Sequence, residues 1–159
     1  MNYDFISKTN FINSLKKVCA NISILKDINN AEMFINSNNK QTIHIINCHN
    51  VSININSKIN HLYINNCSHV NIVLANGVIS TIYVSDSKKI DILNNKGSIP
   101  FIECYLVSSL HINNNIKYDN NHIWLIITNS IGIHIIKNTY SCLFGIKVKK
   151  LICGTQLYN

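Results

Sequence analysis

The chain has 159 residues, of which 47% are hydrophobic and 13% charged, and fourteen lysines against seven acids leave a net charge of +7. That size and apolar content suit one domain with its own core, and the excess of cations favours a partner with an acidic surface. No apolar run approaches the roughly 18 residues of a membrane span, and the opening MNYDFISKTN lacks a basic segment followed by an apolar one, so neither an anchor nor a signal peptide is expected and the chain is placed in the cytoplasm.

From Phe11 to Leu25 the apolar residues Phe11, Ile12, Leu15, Val18, Cys19 and Ile22 recur at helical spacing, with Lys16 and Lys17 on the opposite side. This predicts an amphipathic helix, and residues 1–24 are expected to form a helical cap. The body that follows, residues 25–138, is repetitive. The pattern apolar-x-[Asn/Asp]-[Cys/Ser]-x-x-apolar-x-apolar occurs at Ile45–Ile53, Ile64–Ile72, Val84–Ile92 and Ile127–Ile135, with starts offset by 19, 20 and 43 residues. The last offset spans two periods, and the missing copy falls within SIPFIECYLVSSLHI, where the register is blurred. A period near 20 residues with alternation on both sides of a polar corner belongs to a solenoid, each repeat being one coil of a parallel β-helix.

Alternation assigns the faces. Ile43/Ile45, Leu62/Ile64 and Ile82/Val84 point inward, while Thr42/His44, His61/Tyr63 and Thr81/Tyr83 point outward. After the corner, Val51/Ile53/Ile55, Val70/Ile72/Leu74, Ile90/Ile92 and Ile133/Ile135 resume the inward pattern. Asn47, Asn66, Asp86 and Asn129 should stack as a ladder, because Asn and Asp tolerate left-handed backbone angles and bond their own turns. Cys48, Cys67, Ser87 and Ser130 follow as small residues that tuck inside the bend. Trp124 and His134 are expected to cover or fill the last coil. Residues 139–159 alternate Ile146 and Val148 with Lys147 and Lys149 and read as a terminal hairpin that seals the solenoid, in a form that two copies could exchange.

The six cysteines lack CxxC spacing, so no zinc site is expected, and they read as reduced thiols packed like small apolar residues. A nucleophilic cysteine with His49 or His69 as base is disfavoured, since the slot is Ser in two copies and an orienting third group is missing. Polysaccharide cleavage needs paired carboxylates, yet of the acids only Asp86 and Asp91 lie close together, and Asp86 is a corner residue. No RNP-like, zinc-finger or phosphate-loop motif accompanies the basic charge, so nucleic acid is not an expected partner. The chain reads as a binding protein, without enzyme activity or cofactor.

The stretch QTIHIINCHNVSININSKINHLYINNCSHVNIVLANGVISTIYVSDSKKIDILNNKGSIPFIE resembles the C-terminal β-helix domain of cyclase-associated proteins. The likeness covers roughly residues 33–136 and rests on Lys58-Ile59-Asn60 leading to Asn66-Cys67, and on Gly97-x-x-Pro100 before Phe101 and Ile102. Two segments depart from the family pattern: Leu25-Lys26-Asp27-Ile28-Asn29 where a Trp is usual, and Asn138-Thr139-Tyr140-Ser141 where Pro-Glu-Gln is usual. The resemblance implies a right-handed parallel β-helix, all-β apart from the cap and dimerised by a swapped C-terminal hairpin (Ile146, Lys147, Val148, Lys149, Leu151). It further implies binding of monomeric actin, preferentially in the ADP form, promotion of nucleotide exchange, and a cytoskeletal location. The expected version is a minimal one carrying the β-helix alone.

The outward ladder His44, Tyr63 and Tyr83 has the composition of an interface core and is the first candidate for the actin contact, with Lys88, Lys89 and Lys96 at corners to meet acidic residues. An alternative is a β-helix of the tubulin-cofactor-C type binding a small GTPase or tubulin. Those relatives supply an arginine finger, and this chain contains no Arg, so only binding would survive.

Overall fold

A computed structural model describes residues 2–6, 18–19, 22–36, 40–114, 123–137, 140–144 and 148–155. The strands are β1 (Asn2–Ile6), β2 (Val18–Cys19), β3 (Ile22–Lys26), β4 (Asn29–Asn36), β5 (Thr42–Ile46), β6 (His49–Ile55), β7 (Ile59–Asn65), β8 (Ser68–Leu74), β9 (Val78–Ser85), β10 (Lys88–Asn94), β11 (Phe101–Tyr105), β12 (Ser108–Asn114), β13 (Ile123–Lys137), β14 (Tyr140–Phe144) and β15 (Val148–Thr155). The coils of a parallel β-helix are β3–β4, β5–β6, β7–β8, β9–β10, β11–β12 and β13, the last strand turning the corner without interruption.

Strands before the corner stack as β3·β5·β7·β9·β11·β13, and strands after it as β4·β6·β8·β10·β12·β13. In the first stack Ile43, Leu62, Ile82, Ile102 and Leu125 are in register, and so are Ile45, Ile64, Val84, Cys104 and Ile127. All are buried, as are Val51, Val70, Ile90, Leu110 and Ile133 across the second stack. Each such side chain contributes about 1.5–3 kcal/mol on full burial, so the apolar columns dominate the stability of the coil interior. The inward register read from alternation is the observed one.

Left-handed backbone angles mark each first corner twice, three residues apart. Asn47 (φ 54°) pairs with Asn50 (53°), Asn66 (50°) with His69 (56°), Asp86 (48°) with Lys89 (52°), and Asn129 (49°) with Gly132 (67°). The missing copy is Cys104-Tyr105-Leu106-Val107, whose Leu106 (52°) and Ser109 (65°) occupy the same slots. A branched side chain in this backbone region is strained, which explains why the pattern is unreadable there. The amide ladder runs Asn66 to Asn47 to Asp27 through Nδ2–H donors at 2.9 Å each, and Leu106 separates Asp86 from Asn129. The expected unbroken ladder is therefore interrupted.

The first coil corrects the helical reading of the N-terminal stretch. Within Phe11–Leu25, residues Val18–Cys19 and Ile22–Lys26 are strands; the segment 7–17 lies outside the described residues. The physical reason is β5, whose edge takes up Ile22–Lys26 in parallel pairing with Ser23 and Leu25 buried, a tertiary demand that overrides the helical spacing. The open edges are covered by antiparallel strands: β1 on β4 and β2 on β3 at one end, β14 and β15 on β13 at the other. Among the described residues, β14 pairs with the second half of β13 and β15 with its first half.

Candidate functional site

The outward positions of the β5–β13 stack form columns by register. One runs Thr42, His61, Thr81, Phe101, Trp124; the next runs His44, Tyr63, Tyr83, Glu103, Ile126. Parallel in-register pairing sets the spacing of neighbours at roughly 4.8 Å, so aromatic rings in one column must stack or tilt against each other. The His44 and Tyr63 rings stack with centroids 4.6 Å apart, Tyr63 and Tyr83 tilt at 5.9 Å, and His61 adds a third contact to Tyr63 at 5.8 Å. Partial burial in this stack lowers the His44 pKa from its ordinary value. A neutral imidazole against a phenol is the state this packing favours.

The strip extends further than its sequence reading. Trp124 is 55% exposed on the outer face beside Phe101, which corrects the expectation that it covers or fills the last coil; Tyr105 is 40% exposed at the far end of β11. Alternation was the signal available: Phe101, Glu103 and Tyr105, like Trp124 and Ile126, share the outward parity of Tyr63. His134 is also outward, on the other sheet, with its ring stacked on that of His111.

The lysines do not gather at one place. Lys88 and Lys89 stand exposed on the first corner, next to the end of the aromatic strand β9. There they neighbour Ser68 and the His49 and His69 rings, whose centroids are 5.3 Å apart. Desolvation, then the positive neighbours Lys89, His49 and Lys88, lower the His69 pKa, so this corner resists taking up more positive charge. Lys96 lies beyond the other end of β10, beside Gly97 at the opposite corner. Of the C-terminal residues, Val148 pairs Ser130 and Leu151 pairs Ile127, with Lys149 between them on β15, while Ile146 and Lys147 lie outside the described residues. Among the described residues no helix is long and apolar enough to cross a membrane.

This site offers contact area rather than reaction chemistry: stacked rings, apolar side chains on a flat sheet, and a basic corner. The family model described as adenylate cyclase associated (CAP) C terminal matches residues 13–138. The crystal structure of cyclase-associated protein from Cryptosporidium parvum superposes with a TM-score of 0.67 at 15% identity, covering 95% of this chain and 90% of that one, a likeness of fold. Comparison with curated protein sequences gives no match.

Proposed function

Because the chain belongs to the family of adenylate cyclase associated (CAP) C-terminal domains, we propose that it binds monomeric actin, preferentially with ADP, and promotes exchange of the bound nucleotide. The observation that carries this reading is the outward aromatic strip His44–Tyr63–Tyr83, prolonged by Phe101 and Trp124 on the same sheet face. Aromatic side chains supply large rigid contact area at small entropic cost, and interface cores are enriched in them. Lys88 and Lys89 at the adjoining corner suit an acidic surface, in keeping with the net charge of +7.

No bond is made or broken by the protein in this role. It acts by binding one actin conformation better than another, so that the conformation from which nucleotide escapes becomes more populated. Its place of action is the cytoplasm, with the actin cytoskeleton. Two copies would dimerise by exchanging β14 and β15, each laying on the partner the antiparallel pairing these strands make with their own β13.

The test is release of a fluorescent nucleotide from ADP-loaded monomeric actin, with and without the protein, at low and physiological salt. Faster release, more so at low salt, is the expected result. Unchanged release with no complex formed would remove the actin reading and leave small GTPases or tubulin as binding partners to try.

A further inference from the structure

The first corner is polar in all but two of its outward positions. Its left-handed column reads Asp27, Asn47, Asn66, Asp86, Leu106, Asn129. The column that opens the following strands reads Asn29, His49, Ser68, Lys88, Ser108, Ile131. Each column has one apolar member, and the two fall on adjacent coils. Leu106 is 45% exposed and Ile131 46%, and the exposed Tyr105 ends β11 directly before Leu106. Backbone bonds from Leu106 N–H to Thr128 O and from Ile131 N–H to Val107 O join the two coils at this point.

Leu106 runs against two preferences at once. Its φ of 52° lies in the left-handed region, where Asn and Asp are tolerated and a bulky side chain is strained. Its side chain also faces solvent, so it gains little of the apolar burial that would offset the strain. A local rule broken without a compensating gain inside the fold points to a use outside it. The surroundings are basic. Leu106 lines a depression together with Asn66, Ser68, Asp86, Lys88 and Ser108, and Lys89 stands exposed beside Lys88 on β10. Asp86 is the one carboxylate lining that depression, and the edge-on His49 and His69 rings lie on the coils before it.

We infer that Leu106, Ile131 and Tyr105 form an apolar knob that seats in a recess of a protein partner, with Lys88 and Lys89 pairing carboxylates at the rim of that recess. The identity of the partner rests on the reading of monomeric actin given above; the knob adds an anchor on the corner to the contact on the sheet. Continuity supports it, because Tyr105 shares the outward parity of Phe101 and Glu103 on β11 and carries the aromatic face to the edge where Leu106 turns the corner. Charge supports it as well, since apolar anchors flanked by lysines complement an apolar hollow flanked by acids. Strain at Leu106 then has a function: it holds outward a side chain that the fold itself does not need.

The experiment measures binding of the full chain to ADP-loaded monomeric actin, at low and physiological salt, alongside the melting temperature of each variant. Leu106→Asn should raise the melting temperature by about 2–4 °C, by placing in the left-handed slot a residue that tolerates it. The same variant should weaken the complex by about tenfold or more, the loss expected of an interface anchor. Ile131→Ser should weaken it similarly with little change in melting. Leu106→Met keeps an apolar side chain and should bind nearly as the unaltered protein does. Replacing both Lys88 and Lys89 by Gln should lower affinity most at low salt. Full affinity in both Leu106→Asn and Ile131→Ser, while the unaltered chain binds actin, would overturn the knob and leave the actin reading standing. A lower melting temperature in Leu106→Asn would overturn it too, by showing that leucine serves the fold. An equal loss in Leu106→Met would show that apolar character is not what the partner reads. No complex with the unaltered chain would remove the actin reading and this inference with it.

Discussion

The backbone N–H of Cys48 donates to the Sγ of Cys67, the residue in the same corner slot one coil further on, at 3.5 Å. The relationship repeats: Cys67 N–H donates to Ser87 Oγ at 3.0 Å, and Val107 N–H to Ser130 Oγ at 3.0 Å. Each acceptor also donates to a carbonyl two residues back, Cys67 to Asn65 O, Ser87 to Ser85 O and Ser130 to Thr128 O. The small residue after the Asn is thus more than a space filler. It accepts from one coil and donates to its own, a role that sulfur and oxygen both fill, whereas Val107 takes the slot in the fifth copy without these side-chain bonds.

Cys67→Ser should therefore keep the fold at nearly unaltered stability. Cys67→Val should lose about 1–3 kcal/mol, because the Cys48 N–H is left buried without its acceptor. Urea unfolding of the two variants makes the comparison; equal midpoints would remove the ladder from the explanation of the Asn-Cys repeat.

Gly97 has φ +78°, and a Cβ placed on it would stand 2.1 Å from the carbonyl oxygen of Asn76 in the coil before. Neither the backbone angle nor the space admits a side chain. Gly97→Ala should cost more than about 1 kcal/mol and lower the melting temperature. A calorimetric scan matching that of the unaltered protein would contradict the close approach of the two turns.

Burial, with a smaller contribution from the Glu103 carboxylate, pushes the Cys104 thiol up from 9.0 to about 12. Folded protein then holds this proton where the unfolded chain has released it. The stabilisation is complete below the unfolded value of 9.0 and is lost as the pH climbs through about 12. In unfolding measurements at increasing pH, Cys104→Ala should show a shallower alkaline decline than the unaltered protein. Parallel declines would mean that the thiol does not titrate differently in the two states.

Tyr63→Ala and Trp124→Ala alter exposed or half-buried outward positions, so both should retain the melting temperature to within a few degrees. On the proposed function, each should weaken the complex with ADP-actin by about 2 kcal/mol if it is an anchor of the interface. Nucleotide-release titrations give the number. An undiminished effect in both variants would move the contact off the aromatic sheet.

Much of the architecture was legible in the linear chain because its two periods are local. Alternation of Ile and Val with polar residues specifies which side chains enter the coil, and Asn or Asp at the corner specifies where the backbone turns left-handed; neither depends on a distant partner. Where a residue departs from its local preference, the reading failed. Leu106 takes a left-handed slot because the coils on either side hold it there, through its N–H to Thr128 O and the Asp86 N–H to Tyr105 O.

The candidate site divides in the same way. Alternation alone places His44, Tyr63 and Tyr83 outward, and the repeat length predicts that they align. Stacking of the coils, which only the folded chain establishes, sets Trp124 against Phe101 and His134 against His111, residues 23 apart across a longer connection that blurs the sequence register. The strands at the two ends belong to the same class: Ile22–Lys26 carries helical spacing in isolation and becomes a strand because the β5 edge needs a partner. The sequence by itself therefore determined the coil, its interior and its corners. Tertiary structure decided how the coils end and which outward side chains meet, since both depend on hydrogen bonds and ring contacts between segments that local preference does not join.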